Sequence, residues 1–250
     1  MTFSAEHISH SYRGKAVLSD ISFSIEPGEL MTIMGPNGVG KTTLLKSIVG
    51  ILPGSVERLS LDGKDVTSVT PREKAKLISY VPQRSHVSGS TVFESVLLGR
   101  RPYLTWDVSE EDLDIVDSII SAIGLEELSE KKVDSISGGE YQLVQIARAL
   151  VQDPRVILLD EPTNNLDVAN QENVLKVLRE MIAERGLCAI MTNHDINLSI
   201  RHSDRLMMLK SGRIYAEGGK GIVTSQAIRD VYGMDVTVEE VRGNPMVIPI

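Results

Sequence analysis

Apolar and polar residues alternate through the first thirty positions, with Val17, Ile21, Phe23 and Ile25 falling on one side. A period of two is the pattern of half-buried strands, and a turn at Gly14 predicts that they run antiparallel. Leu30-Met31-Thr32-Ile33-Met34 is a short β-type run that stops at Gly35, and 42–49 follows with helical spacing. Further strands are predicted at 56–61, ahead of an Asp62-Gly63 turn, and at 78–81. Between 90 and 135 the spacing lengthens. Thr91-Val92-Phe93-Glu94 and Ser109-Glu110-Glu111-Asp112 read as capping boxes, in which hydroxyl and carboxylate satisfy the open amides of a first helical turn. Leu113, Val116, Ile119, Ile120 and Ile123 then make one apolar helix face, with Asp112, Asp114 and Asp117 placed on a solvated face opposite. The stretch from about 90 to 150 is therefore predicted to be a helical insertion. From Val156 the order becomes strand, helix, strand at 156–159, 170–184 and 188–191. Continuous apolar strands flanked by helices predict a parallel sheet covered on both faces. A hairpin is expected at 206–209 and 213–216 around Ser211-Gly212, and the last fifteen residues have weak strand character.

Composition narrows the class without naming a chemistry. At 250 residues the chain has room for one to two domains, yet no repeat or Gly/Ser linker divides it. With 42% hydrophobic and 24% charged residues it is neither disordered nor fibrous. Acids outnumber bases 34 to 26, and the net charge of −8 argues against nucleic acid as the main partner. No apolar run has the 18 or more residues of a membrane span, and Met1-Thr2-Phe3-Ser4-Ala5-Glu6 does not begin a signal peptide, so no direct membrane insertion is expected. The single cysteine, Cys188, forms no internal disulfide and suits a reducing compartment.

The chemistry lies in four short segments. Gly35-Pro36-Asn37-Gly38-Val39-Gly40-Lys41-Thr42 matches G-x-x-x-x-G-K-[ST] at every fixed position, after a predicted strand and before a predicted helix. Its backbone amides and the helix N-terminus cradle phosphate; Lys41 reaches the β/γ-phosphates, and Thr42, with Thr43 beside it, offers a hydroxyl to Mg²⁺. This is the signature of a P-loop nucleoside-triphosphate site. Val156-Ile157-Leu158-Leu159-Asp160-Glu161 is an apolar strand ending in two acids. Asp160 is placed to hold Mg²⁺ through water, and Glu161 to orient or deprotonate the water that attacks the γ-phosphate. His194, in Thr192-Asn193-His194-Asp195, follows the next strand and is assigned as a γ-phosphate sensor at the same sheet edge. Ser137-Gly138-Gly139-Glu140 opens a predicted helix at 141–150 and forms a second anion-type helix terminus.

In order and spacing these segments closely resemble the ATP-binding subunit of ABC transporters. The resemblance covers nearly the whole chain: 1–235 as the ATP-binding domain and 236–250 as a short C-terminal extension. It implies an α/β fold, a P-loop ATPase core with a parallel sheet, an N-terminal antiparallel β subdomain and the helical insertion. It also implies further roles. Tyr12 sits where the family stacks a ring on adenine, the alternative being a strand aromatic in the core. Gln83, in Tyr80-Val81-Pro82-Gln83, corresponds to the glutamine that contacts Mg²⁺ and links hydrolysis to a transmembrane partner. Leu166-Asp167 resembles the D-loop that reaches the other subunit. Two copies pack head to tail in the family, so Ser137, Gly138 and Gly139 are expected to act in trans on ATP. Where the family usually has LSGGQ, this chain has Ile136 and Glu140. Glu140, together with Gly99-Arg100-Arg101-Pro102-Tyr103, Glu161-Pro162-Thr163-Asn164-Asn165-Leu166-Asp167 and Tyr232-Gly233-Met234-Asp235-Val236, resembles importers of iron-siderophore, haem and cobalamin type.

The expected protein is thus an ATPase at the cytoplasmic side of a membrane, peripheral to it and energising import of a metal chelate. Its implied partners are a second copy, a transmembrane permease docked from the segment after Gln83 through the helical insertion, and a substrate-binding protein. Rival readings are an ABC-type ATPase serving cofactor assembly or chromosome maintenance, a transporter of another substrate, and a P-loop regulator with little turnover. Glu161 and His194 together disfavour the last.

Overall fold

The computed structural model describes residues 2–83, 89–104 and 107–250. In chain order they form β1 (Phe3–Tyr12), β2 (Lys15–Ile25), β3 (Leu30–Met34), α1 (Lys41–Val49), β4 (Arg58–Leu61) and β5 (Lys64–Asp65). Next come α2 (Pro71–Leu77), β6 (Ile78–Val81), α3 (Val92–Leu97), α4 (Glu110–Ala122), α5 (Gly138–Leu150), β7 (Val156–Asp160) and α6 (Val168–Arg185). The chain ends with β8 (Cys188–Thr192), α7 (Ile196–His202), β9 (Arg205–Lys210), β10 (Arg213–Gly218), α8 (Ser225–Tyr232), β11 (Val236–Val241) and β12 (Asn244–Pro249). They fall into two compact units, Met1–Ser68 with Cys188–Ile250, and Val69–Leu187.

In the first unit, β2-β1-β4-β5 make an antiparallel sheet, joined by the expected turn at Gly14. A second layer has the order β10-β9-β3-β8, with β3 parallel to both β8 and β9 and β10 antiparallel on β9. Every residue of β3 and β8 is buried, which is why these strands read as unbroken apolar runs. Burial of each such Leu, Ile or Met contributes about 1.5–3 kcal/mol. The Cys188 thiol lies in this core, and burial pushes its pKa up to about 11, so it carries no reactive thiolate. The last fifteen residues are a definite antiparallel hairpin, β11–β12. Val236 and Val247 from its two strands sit in one core cluster with Met34, Ile200, Leu206, Met208, Ile228 and Val231.

In the second unit, β6 runs parallel to β7. Among the described residues four helices here begin with complete capping boxes, at Thr70, Thr91, Ser109 and Ser137. On the α4 face helical spacing misleads. Leu113 is 37% exposed, whereas Asp112, placed on the solvated face, is only 6% exposed. Its carboxylate accepts Arg100 Nε at 2.7 Å and the Ser109 hydroxyl at 2.7 Å. Arg100 in turn donates Nη1 to the Val151 carbonyl at 2.7 Å and lies over the Tyr103 ring, 3.9 Å from its centroid. A partner twelve residues upstream, invisible to local periodicity, draws this acid inward. The Gly99–Tyr103 segment thereby acts as an internal staple. A Cβ on Gly99 would meet the Arg148 carbonyl oxygen at 2.1 Å, and Tyr103 Oη bonds the Gln152 carbonyl at 2.8 Å.

Candidate active site

Strand register explains how each unit gathers its chemistry. In the first unit Ile33 of β3 pairs with Thr192 of β8, so Gly35 and His194 both emerge two residues beyond that pair at the same sheet edge. Gly35 (φ +148°) and Gly40 (φ +113°) close the turn in backbone regions that favour glycine, and neither has room for a side chain. A Cβ would stand 2.7 Å from the Leu209 carbonyl oxygen at Gly35 and 2.7 Å from Leu18 Cδ2 at Gly40. Pro36, Asn37, Gly38 and Val39 fill the loop between them, and Lys41, Thr42 and Thr43 form the first turn of α1. Lys41 is buried, and its Nζ donates to the Gly35 carbonyl at 2.7 Å and the Pro36 carbonyl at 3.4 Å. His194 is exposed just after β8. Tyr12, at the end of β1, is 47% exposed with its ring edge-on to His10 at 4.6 Å, which removes the reading of Tyr12 as a core aromatic.

The second unit repeats the geometry. Val81 of β6 pairs with Leu159 of β7, and two residues on, Gln83 Nε2 donates to Glu161 Oε2 at 2.6 Å. Glu161 has φ +51°, a left-handed backbone costing on the order of 1–3 kcal/mol for a residue with a Cβ. The turn is held by Asn164, whose Nδ2 bonds the same carboxylate oxygen at 3.2 Å and whose N–H bonds the Glu161 carbonyl at 3.1 Å. Asp160, nearly buried at the strand end, accepts Tyr80 Oη at 3.2 Å. Burial and this carboxylate push the Tyr80 phenol well up, so it stays a donor. Tyr80 and Asn164 are site residues that strand-end acids alone do not reveal, although both stand inside segments already singled out.

At the start of α5, Ser137 accepts the Glu140 N–H at 3.3 Å while Glu140 Oε2 accepts the Ser137 N–H at 2.7 Å. The Ser137 hydroxyl and amide hold the Glu140 carboxyl below the usual range. The glutamate that replaces the usual glutamine is therefore turned back onto its own helix cap. Ser137 and Gly138 stay exposed, while Gly139 is buried beneath α6. A Cβ on Gly139 would come within 2.6 Å of Asn170 Oδ1. Asn170 is itself fixed by Asp167, the N-cap of α6, through its N–H at 2.8 Å and its Nδ2 at 2.9 Å. Asn170 thus ties the D-loop acid to the serine-glycine turn, and sequence reading missed it because its partner lies thirty-one residues away.

The oxygen donors assigned to Mg²⁺, the Thr42 hydroxyl, the Gln83 amide and the Asp160 carboxylate, suit a hard cation held mainly by nucleotide phosphates. Among the described residues no cluster of three or more His, Cys, Asp or Glu forms an all-protein metal cage.

The family model described as ABC transporter matches residues 18–164, more than half of the chain. The chain belongs to the ABC transporter ATP-binding family. Members of this family hydrolyse ATP to power transport, and this protein is an ATP-binding ATPase subunit. It is 42% identical over 250 residues to an uncharacterized ABC transporter ATP-binding protein of Methanocaldococcus jannaschii, covering all of this chain and 98% of that protein. It is 36% identical over 248 residues to a hemin import ATP-binding protein of Gloeobacter violaceus, covering 95% and 90%. It is 34% identical over 245 residues to a petrobactin import ATP-binding protein of Bacillus anthracis, covering 96% and 90%. A dimeric bacterial ABC transporter cassette superposes with a TM-score of 0.74 at 28% identity, covering 87% of this chain and 98% of that one. Among the described residues no helix is long and apolar enough to cross a membrane.

Proposed function

We propose that this ATPase energises import of a metal chelate such as an iron-siderophore, haem or cobalamin, as a peripheral subunit on the cytoplasmic side of its membrane. Relatives named for hemin and petrobactin import, aligned over almost the whole chain, support the substrate class. The observation that carries the coupling is the 2.6 Å bond from Gln83 to Glu161. It joins the acid that acts on water to the head of the segment running toward the permease. Residues 84–88, 105 and 106 of that segment lie outside the described residues.

In this reading, residues 1–235 form the ATP-binding domain of each of two copies. Gly35 to Gly40 and the first turn of α1 hold the phosphates, with Lys41 on the β/γ oxygens and Thr43 beside Thr42. Tyr12 stacks on adenine. Glu161 orients and deprotonates the attacking water, and His194 holds the γ-phosphate. Ser137, Gly138 and Gly139 of the second copy close over the nucleotide, with Asp167 at the boundary. Thr42, Gln83 and Asp160 would hold Mg²⁺, which neutralises charge on the phosphate oxygens when bound. Positioning and fixed charge supply most of the catalysis, since phosphoryl transfer asks little covalent chemistry of a protein. A permease and a substrate-binding protein complete the transporter.

The test is to purify the chain with its co-expressed membrane partner and identify the retained solute by mass spectrometry. A metal chelate that stimulates ATP hydrolysis by the complex supports the reading. A partner-free chain, or stimulation only by metal-free solutes, overturns it.

A further inference from the structure

We infer that the C-terminal hairpin positions His194 through Asn197. The inference rests on the role given to His194 above. Helix α7 follows His194 directly, and its N-cap is Asp195, whose Oδ1 accepts the Leu198 N–H at 2.9 Å and whose N–H donates to Asn193 Oδ1 at 3.0 Å. At seven residues α7 is too short to hold its direction by its own hydrogen bonds, so tertiary anchors must fix it. Two are apolar, the buried Leu198 and Ile200. The third is polar and specific. Asn197 Nδ2 donates to the Val247 carbonyl at 3.0 Å, and Asn197 Oδ1 accepts the Val247 N–H at 2.8 Å. A side-chain amide here imitates the peptide unit of a neighbouring strand and occupies the outer edge of β12.

β12 is itself a firm base. Val247 of β12 and Val236 of β11 are buried in the core cluster that includes Met34, the last residue before Gly35. Lys220 Nζ bonds Asn244 Oδ1 at 2.7 Å, and Arg229 Nε bonds Asp235 Oδ1 at 2.6 Å, pinning both ends of the hairpin. The path from β12 runs to Asn197 in α7's first turn and then through the Asp195 cap to His194, three residues upstream of Asn197. Residues 236–250 thus act as the fixed reference against which the histidine loop is set, and Asn197 is a positioning residue.

The test compares Asn197→Ala, Asn197→Asp and His194→Ala in the intact chain. Asn197→Asp keeps the acceptor for the Val247 N–H and loses the donor, so it serves should the alanine variant not fold. Misplacing a group that meets the transferring phosphate lowers kcat roughly 10- to 100-fold. The expected result is that loss in both Asn197 variants, with ATP affinity by titration unchanged, and a shifted ¹⁵N-imidazole resonance of His194 in a fold that melts cooperatively. A purely structural asparagine would lower the melting temperature and leave that resonance in place. Wild-type kcat in the Asn197 variants beside an inactive His194→Ala overturns the inference alone. Full turnover in His194→Ala removes the underlying reading of the histidine and the inference with it.

Discussion

Lys41 is 7% exposed, and its ammonium is met by two neutral carbonyls, those of Gly35 and Pro36. A triphosphate brings an anion to the loop the lysine already spans, and a charge-assisted bond from the ammonium to phosphate is stronger than one to a neutral carbonyl. Lys41→Ala is expected to abolish ATP binding by calorimetry; an unchanged titration contradicts the phosphate-cradle assignment. Asp112 makes the converse case of a charge used for folding. The Ser109 hydroxyl first, and then Arg100, hold its carboxyl below the usual aspartate range. A depressed folded pKa means that the pair contributes in full above about pH 4, where the unfolded acid ionises, and is lost as pH falls through the folded value. Asp112→Asn strands Arg100 in the interior, so about 3–5 kcal/mol should be lost at pH 7. Below pH 4 the wild type should lose stability with a steeper slope than this variant. Urea midpoints across pH check both statements, and parallel slopes would count against the pair.

Elements were legible where local chemistry sets them. β3 and β6 begin and end where the apolar runs do, and the boxes at Thr91 and Ser109 open helices as their spacing requires. α5 begins at Gly138, three residues ahead of the predicted start, because the Ser137–Glu140 box outweighs the poor helix propensity of two glycines. The motif glycines, P-loop lysine, strand-end acids and histidine could be read from pattern and resemblance. Asp112, Asn164, Asn170 and Asn197 could not be, since each takes its role from a partner fixed only by the folded turn or by a distant element. Two glycines test that distinction. Gly139→Ala drives a methyl into the Asn170 side chain, which can give way only by breaking its bond to Asp167, so the variant should fold yet lose hydrolysis as the Asp167 cap is disturbed. Asn170→Ala in the same chain should restore part of that activity; no recovery would show that Gly139 matters for reasons other than this contact. At Gly99 the obstacle is the Arg148 backbone, which has nowhere to go. Gly99→Ala should cost about 1–3 kcal/mol by denaturant unfolding, as overpacking generally does.

At the scale of the whole molecule, the chain carries two anion-type helix termini in two different compact units, α1 in the first and α5 in the second. The serine-glycine turn of α5 leaves Ser137 and Gly138 exposed, with the Ser137 amide donating to the Glu140 carboxylate of its own cap. The positive end of the helix dipole still favours an anion at this exposed turn, and in the proposed reading that anion is the γ-phosphate held by a second copy. Dimerisation then depends on nucleotide and ends with hydrolysis. Glu161→Gln keeps the size of the side chain and its bonding to Gln83 and Asn164 while removing the base that acts on water. This variant should bind ATP with wild-type affinity, lose most turnover and run at twice the monomer mass by light scattering when Mg²⁺ and ATP are present. Adding Lys41→Ala should return it to a monomer, because the bridging phosphate is no longer held. A Glu161→Gln chain that stays monomeric at saturating ATP would mean that the exposed turn of α5 meets some partner other than a second copy.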